Sequence, residues 1–390
     1  MNRNFISNRS RSVTRSGIRV MYDLALGVEG LVHLEIGEPD FSTPPHIVEA
    51  AKKALDEGYT HYTPNAGYLD LRESVSRKVH RDNGLDADPE SEIIITAGAM
   101  QAISSAILVS IDPGDEVILP DPGYESFVRQ TRFADGIPVP VEVREEDEFR
   151  LKPESVEEAI TKRTRMIIIN SPGNPTGAVM LKEDLEGIAD LAKRHDLLVL
   201  SDEIYEKMLY DGVKHYSIAT FPGMEERTVT VFALSKTYAM TGWRLGYAIG
   251  PKTIVKEMTK LQEFYVTCAT SICQRAALAA LEGPQDFVRD MVANFRQRRD
   301  FMYDQITRIQ GMSCVKPKGA FYLFPNISGT KLRKDDPAKD LLEKCQVVTA
   351  PGSAFGNHCQ SYVRISLASS MDNLRTASKR MMEYLGSVPD

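Results

Sequence analysis

Lys236 is the residue in this chain best placed to do covalent chemistry. It lies in the stretch 233–246 (ALSKTYAMTGWRLG), with Ser235 before it and Arg244 after it. A lysine amine forms an imine with an aldehyde, and a hydroxyl beside an arginine suits a bound anion. The preceding run 228–233 (TVTVFA) reads as a strand. Lys236 is therefore expected where a strand gives way to a loop, a common place for chemistry on a rigid scaffold. From this stretch alone, a surface lysine in an ordinary loop would look the same.

The elements that must position it alternate along the chain. Short β-branched runs at 92–96, 116–119, 137–143, 165–170, 197–201, 228–233 and 246–250 are separated by helical patterns. The helices are expected at 101–109, after Tyr124, at 153–160 and at 182–195. Nearly continuous apolar strands interleaved with helices predict an α/β domain with a mostly parallel sheet covered on both faces. Ligands bind outside the carboxyl ends of such strands. The residues just beyond those ends should then converge: Gly98, Ala99 and Met100, then Tyr124, Asn174, Asp202 with Tyr205, and Ser235 with Lys236.

Before this alternation come a helix capped by Ser16 and ended by Gly27 and Gly30, a strand over 31–36, and helices over 45–58 and 69–81. After it come helices over 252–262 and 271–282, then a long amphipathic helix over 287–309 leading into a smaller α+β domain. Strands are expected there at 319–324, 346–349 and 362–366.

Bulk properties narrow the partners. The 390 residues are 42% hydrophobic and 26% charged, with a net charge of −7. That is globular composition, and the acidic balance argues against nucleic acid or an anionic membrane. No run reaches the roughly 18 to 20 apolar residues that span a bilayer. Five scattered cysteines suggest neither a disulfide framework nor a zinc site, and no histidine spacing suggests a metal. A reduced, cytoplasmic protein is expected. Residues 1–19 carry five arginines and no acid. Such a segment suits an organelle transit peptide or a basic arm that packs on a partner subunit. The helix that follows favours the arm.

Together these residues suit one cofactor chemistry. Pyridoxal phosphate needs a Schiff-base lysine, an acid for its ring nitrogen and a phosphate site. Asp202 can hold a protonated ring nitrogen, Asn174 and Tyr205 can bond the ring's phenolic oxygen, and Tyr124 offers a stacking face. Amides at the start of the helix after Gly98, with Ser235 and Arg244, suit a phosphate. Each residue also has a plainer reading. Asp202 could cap a helix, Asn174 and Gly98 could simply form turns, Tyr124 could be core, and Arg364 could pair with a surface acid.

Several motifs give the set a family. They are GEPD at 37–40, HYTPNAG at 61–67, TAG at 96–98, SPGNPTG at 171–177 and SDEIY at 201–205. SKT at 235–237, GWRLG at 242–246, KGAFY at 318–322, PGS at 351–353 and Arg364 with RIS follow in order. The chain resembles the class I pyridoxal-phosphate aminotransferases of the aspartate aminotransferase superfamily, most of all the archaeal and bacterial aspartate or aromatic-amino-acid enzymes.

The resemblance implies a seven-stranded large domain in the PLP-transferase fold, with strand 246–250 antiparallel. Residues 1–16 would form an arm, 17–45 and 289–390 a small domain, and 46–288 the large domain. It also implies cis bonds at Pro122 and Pro175. Lys236 would be the Schiff-base lysine, Asp202 the ring-nitrogen partner, and Asn174 and Tyr205 the phenolate partners. Arg244, Ser235 and the amides of Gly98, Ala99 and Met100 would hold the phosphate. Tyr62 would reach the phosphate of a second subunit in a homodimer with shared sites. Arg364 would clamp the substrate's α-carboxylate near Gly37.

The implied reaction moves an amino group from an L-amino acid to a 2-oxo acid, 2-oxoglutarate, by ping-pong steps. A carbon–sulfur lyase shares these residues, and a non-catalytic aminotransferase-like regulator is an alternative of another class. The departures are Tyr124 in place of tryptophan, and Ala233 where glycine or serine is common. No second arginine for a dicarboxylate side chain can be assigned from the sequence.

Overall fold

The computed structural model describes residues 5–333 and 335–387. Its central sheet has seven strands: β1 (Ile93–Thr96), β2 (Glu116–Asp121), β3 (Ile137–Glu142), β4 (Thr164–Asn170), β5 (Leu198–Asp202), β6 (Thr228–Ala233) and β7 (Gly246–Ile249). Their spatial order is β1-β7-β6-β5-β4-β2-β3. Only β7 runs antiparallel to its neighbours, pairing Tyr247 with both Ile95 and Phe232. In six of the strands the apolar runs are buried on both faces, because successive side chains point to opposite sides of a strand; in the edge strand β3 only Val141 is buried. Ile93, Ile95, Phe232 and Tyr247 join one core layer, and Ile94, Val231 and Ala248 join the other.

Helices cover these layers. Those the site depends on are α1 (Gly17–Ala25), α2 (Leu69–Asn83), α3 (Ala99–Ser110) and α4 (Glu125–Phe133). Helix α1 begins at the expected cap, where the Ser16 hydroxyl accepts the Arg19 N–H at 3.4 Å. It stops at Ala25, earlier than Gly27, which adopts a left-handed φ of 78°.

A second core gathers α1, the long α5 (Asp286–Ile306) and α6 (Met371–Leu385) around two small sheets. One is antiparallel, ordered Ala350–Pro351, Val363–Ser366, Tyr322–Leu323. The other pairs Val32–His33 in parallel with Val347–Val348.

Two expected strands are shorter than their sequence pattern. Of 31–36 only Val32–His33 is a strand. The carbonyls of Glu35 and Gly37 are taken by the side chains of Arg364 and Lys236, so they cannot join a ladder. Of 319–324 only Tyr322–Leu323 pairs. The Gly319 and Ala320 amides are spent on Gly177 and Met208 carbonyls, each at 2.9 Å.

Expected boundaries otherwise shift by a few residues. The basic arm, from Phe5 onward, lies on its own chain: Arg9 pairs with Asp135 just beyond α4, and Arg129 donates to the carbonyls of Thr14 and Arg15. Residues 1–4 lie outside the described part. The five cysteines are unbonded. Among the described residues no helix is long and apolar enough to cross a membrane.

Candidate active site

The carboxyl ends of the strands meet at one cavity of about 470 Å³. Ala99, Met100, Tyr124, Asn174, Asp202 and Tyr205 line it, as the strand pattern predicts. Ser235, Lys236 and Arg244 form a further wall. Gly37 and Arg364 reach it from the second core.

Lys236 sits in the single turn Leu234–Thr237 directly after β6. Its Nζ donates to the Gly37 carbonyl at 2.5 Å. Burial brings its pKa down to about 8, with Arg364 and Arg244 pushing the same way against Glu38 and Asp202. Near neutrality an appreciable fraction of this amine is free of its extra proton, the form that attacks a carbonyl.

Asp202 ends β5, in register with Asn170 and Val231. Its carboxyl accepts the Ile204 N–H at 3.3 Å. Burial raises its pKa to about 7, and the charge of Glu203 adds to that. No helix of three turns begins here, so a capping role does not account for it. A fully buried carboxylate of this kind calls for a cationic partner.

Asn174 is held in a rigid turn after β4. Its N–H donates to the Asn170 side chain at 2.8 Å, and the Asn170 amide donates to the Asp202 carbonyl at 3.1 Å. The peptide bonds before Pro122 and Pro175 are cis, as the resemblance implies, and so is the one before Pro172. The Asn174 Oδ1 accepts from Arg364 at 3.0 Å.

Arg364 is only 2% exposed and forms no ion pair among the described residues, which removes the surface-pair reading. Its Nη1 donates to Asn174 and its Nη2 to the Glu35 carbonyl, and the guanidinium lies over the rings of Tyr322 and Phe355. Its Nε is buried without a partner. A buried guanidinium without a counter-charge among its neighbours is suited to pair with a carboxylate.

The anion end is built around Gly98, at the start of α3. A Cβ on Gly98 would lie 2.8 Å from Arg244 Nη2, and the residue holds a φ of 81°. Bare backbone there lets the guanidinium close on the helix start, where free amides and the dipole favour an anion. Arg244 itself takes a left-handed φ of 51° and donates to the Thr241 carbonyl at 2.9 Å. Tyr124 borders the cavity, and burial lifts its pKa to about 12.

Lysine, buried acid, amide–phenol pair, stacking ring and anion cradle thus lie around one space. This donor set fits a phosphate-bearing pyridine aldehyde. Tyr62 is not brought in: it is 85% exposed, outside the cavity.

Among the wall residues that sequence reasoning missed are Tyr322, Arg19 and Glu38. The Tyr322 hydroxyl bonds the Tyr205 hydroxyl at 2.8 Å. It also sits so close to Gly37 that a Cβ there would clash at 2.0 Å. The signal was present in KGAFY, which was read only as a motif. Arg19 and Glu38 line the mouth. Glu38 lies in the GEPD motif, which was read only as a motif, whereas nothing in the local sequence marks Arg19, which the packing of α1 brings to the cavity.

The two buried charges predict an unusual pH profile for the cofactor-free protein. Asp202 has a raised folded pKa of about 7, so its contribution is full below the unfolded value near 3.8 and is lost as pH rises to about 7. Lys236 has a lowered folded pKa of about 8, so its penalty is relieved between about 8 and 10.5. The expected melting curve dips near pH 7–8. Asp202→Asn should flatten the acid limb and Lys236→Met the alkaline limb. Limbs unchanged in both variants would show that these groups are not the source.

Residues 29–381 match the family described as aminotransferase class I and II. The chain is 46% identical to aromatic-amino-acid aminotransferase 2 of Thermococcus litoralis, covering 97% of this chain and 98% of that one. It is 44% identical to an aspartate aminotransferase of Pyrococcus abyssi, with the same shares covered. It superposes on the Thermus thermophilus aspartate aminotransferase solved with maleate at a TM-score of 0.92. Identity there is 40%, over 98% of this chain and all of that one.

Proposed function

The chain belongs to the class I and II aminotransferases, and on that premise we propose that it binds pyridoxal phosphate in this cavity and transaminates aspartate and aromatic amino acids against 2-oxoglutarate. The observation that carries the reading is the meeting of Lys236, Asp202 and the unpaired Arg364 in one cavity. When bound, the cofactor supplies an aldehyde for the amino group and a protonated ring that withdraws electrons from the substrate's Cα.

The protein's own residues do the rest. Asp202 keeps its negative charge against the ring nitrogen. Asn174 and Tyr205 hold the phenolic oxygen, and Tyr124 covers a ring face. The amides of Gly98, Ala99 and Met100, with Ser235 and Arg244, hold the phosphate and do no proton transfer. Arg364 fixes the substrate's α-carboxylate beside Gly37, which orients the Cα–H toward Lys236. Lys236 Nζ then takes that proton from Cα and, within the same half-reaction, delivers it to the carbon that enters as the cofactor's aldehyde; in the second half-reaction it moves a proton the opposite way. Because one oxo acid leaves before the next binds, the kinetics are ping-pong.

A homodimer with shared sites fits the surface. Tyr62, Phe264 and Tyr265 are 85%, 80% and 63% exposed, large aromatic side chains for a partner subunit to cover. Tyr62 would then reach the partner's phosphate. Two domains, with the large one near 46–288 and a cytoplasmic setting, complete the reading.

The mouth suits both donor types. Ile18, Tyr22 and Ile36 form an apolar wall, while Arg19, stacked on Tyr22, forms no ion pair among the described residues. A panel of amino-acid donors against 2-oxoglutarate should show turnover with aspartate, tyrosine and phenylalanine. Arg19→Ala should cut kcat/KM for aspartate by roughly tenfold or more and spare phenylalanine, as expected for one lost charge-assisted contact. Pyruvate release from cysteine without an oxo-acid acceptor, and no transamination of the panel, would overturn the reading in favour of a lyase.

A further inference from the structure

Behind Asp202 lies a buried carboxylate that the reaction scheme leaves unused. Glu203 is 1% exposed and follows Asp202 at the end of β5. Side chains alternate along the strand, so Ser201 and Glu203 face away from the cavity while Asp202 faces it. Three donors converge on Glu203. Its Oε1 accepts from Ser201 at 2.9 Å and from Ser217 at 2.8 Å, and its Oε2 faces His215 Nε2 at 2.8 Å. Its N–H donates to the Val231 carbonyl at 2.9 Å, tying the end of β5 to the strand that carries Lys236.

The other charges nearby are already matched. Glu206 takes Lys78 and Asn83, and Lys207 takes Asp82 at 2.8 Å. Lys78 also lies over the Phe232 ring. Lys236, on the cavity side, is the remaining cation facing Asp202. His215 is the remaining partner of Glu203. Burial disfavours its charged form, but Glu203 outweighs this and raises its pKa. Its Nδ1 is buried without a partner, so a doubly protonated ring would bury a bare N–H. As His215 loses its proton, the pair passes from neutral to net negative.

We propose that Glu203 is a positioning residue for the reaction: with Ser201, Ser217 and His215 it fixes the Asp202 end of β5 and, once His215 is neutral, places a second negative charge behind it. That charge strengthens the hold of the site on the proton shared by Asp202 and the cofactor's ring nitrogen. The inference rests on the assignment of Asp202 as the ring-nitrogen partner. The direction follows from Coulomb's law: removing a negative charge lowers the proton affinity of every group near it.

The test uses the holoenzyme and three readouts: the pH midpoint of its visible absorbance, the cofactor Kd by equilibrium dialysis, and the thermal midpoint. Glu203→Gln keeps the side-chain shape and removes the charge. It should lower the absorbance midpoint by about half a pH unit to one unit and weaken the cofactor severalfold. Glu203→Asp, which keeps the charge, should stay within a few tenths of a pH unit of the parent.

A Glu203→Gln protein with a lower thermal midpoint but an unmoved absorbance midpoint and Kd would overturn the proposal, since a purely structural role predicts that pattern. If Glu203→Gln alone does not fold, the pair Glu203→Gln/His215→Gln keeps a donor and an acceptor without either ionisable group, and the same shifts are expected. Asp202→Asn separates the two levels. If it moves Kd and midpoint while Glu203→Gln does not, only this inference fails. If Asp202→Asn moves neither, the assignment of Asp202 fails with it.

Discussion

Lys236→Ala is expected to lose the Schiff-base absorbance band of the cofactor-loaded protein and to slow transamination by roughly 10²- to 10⁴-fold, the scale of a lost general acid–base group. The protein should still fold and still bind the cofactor, because the anion cradle, Asp202 and Tyr124 are independent of the lysine. The size of the effect follows from where Lys236 sits. Its Nζ is buried, has its pKa brought down to about 8 and is aimed at Gly37, beside the Arg364 clamp. Among the described residues no second lysine lines the cavity. Absorbance spectra across pH and single-turnover assays with an amino acid check both parts. Normal turnover in Lys236→Ala would remove the lysine from the reaction.

Arg364→Ala should act on binding more than on chemistry. Truncating a buried group that pairs with a charge costs roughly 2–5 kcal/mol, so KM for the amino acid should rise about 30-fold at the low end and far more at the high end. The effect should lie toward the high end because the guanidinium is 2% exposed, is held by Asn174 and the Glu35 carbonyl, and has an Nε with no partner among the described residues. Arg364→Lys should recover only part of the loss, since a lysine cannot present a planar fork. Steady-state kinetics with aspartate and phenylalanine check this, and both donors should suffer alike because the α-carboxylate is common to them. An unchanged KM would place the carboxylate elsewhere.

Legibility in the sequence followed the range of the interactions. Six of the seven strands could be read because burial on both faces demands nearly continuous apolar or β-branched runs, as in Met166–Ile169 and Val229–Phe232; the edge strand β3, with only Val141 buried, was legible from its β-branched residues alone. The direction of β7 could not be read from pattern and came from the resemblance. Strands 31–36 and 319–324 looked longer than they are. Their apolar residues are buried as expected, but their backbone groups bond to Arg364, Lys236, Gly177 and Met208. Burial leaves a pattern in composition, whereas the choice of hydrogen-bond partner does not.

The sequence by itself determined the strand-end set: Asp202, Asn174, Tyr205, Ser235 and Lys236 each follow a legible strand, and parallel strands must end on one edge. The tertiary structure alone decided what closes that edge. Arg364 lies 190 residues from Asn174 in the chain, and Tyr322 lies 117 from Tyr205, yet each pair shares a hydrogen bond. Arg19 and Glu38 reach the mouth through the packing of α1 and the chain that follows. The reason is physical. Local pattern fixes where a side chain leaves its own strand, but only the docking of the second core fixes which distant side chains it meets there.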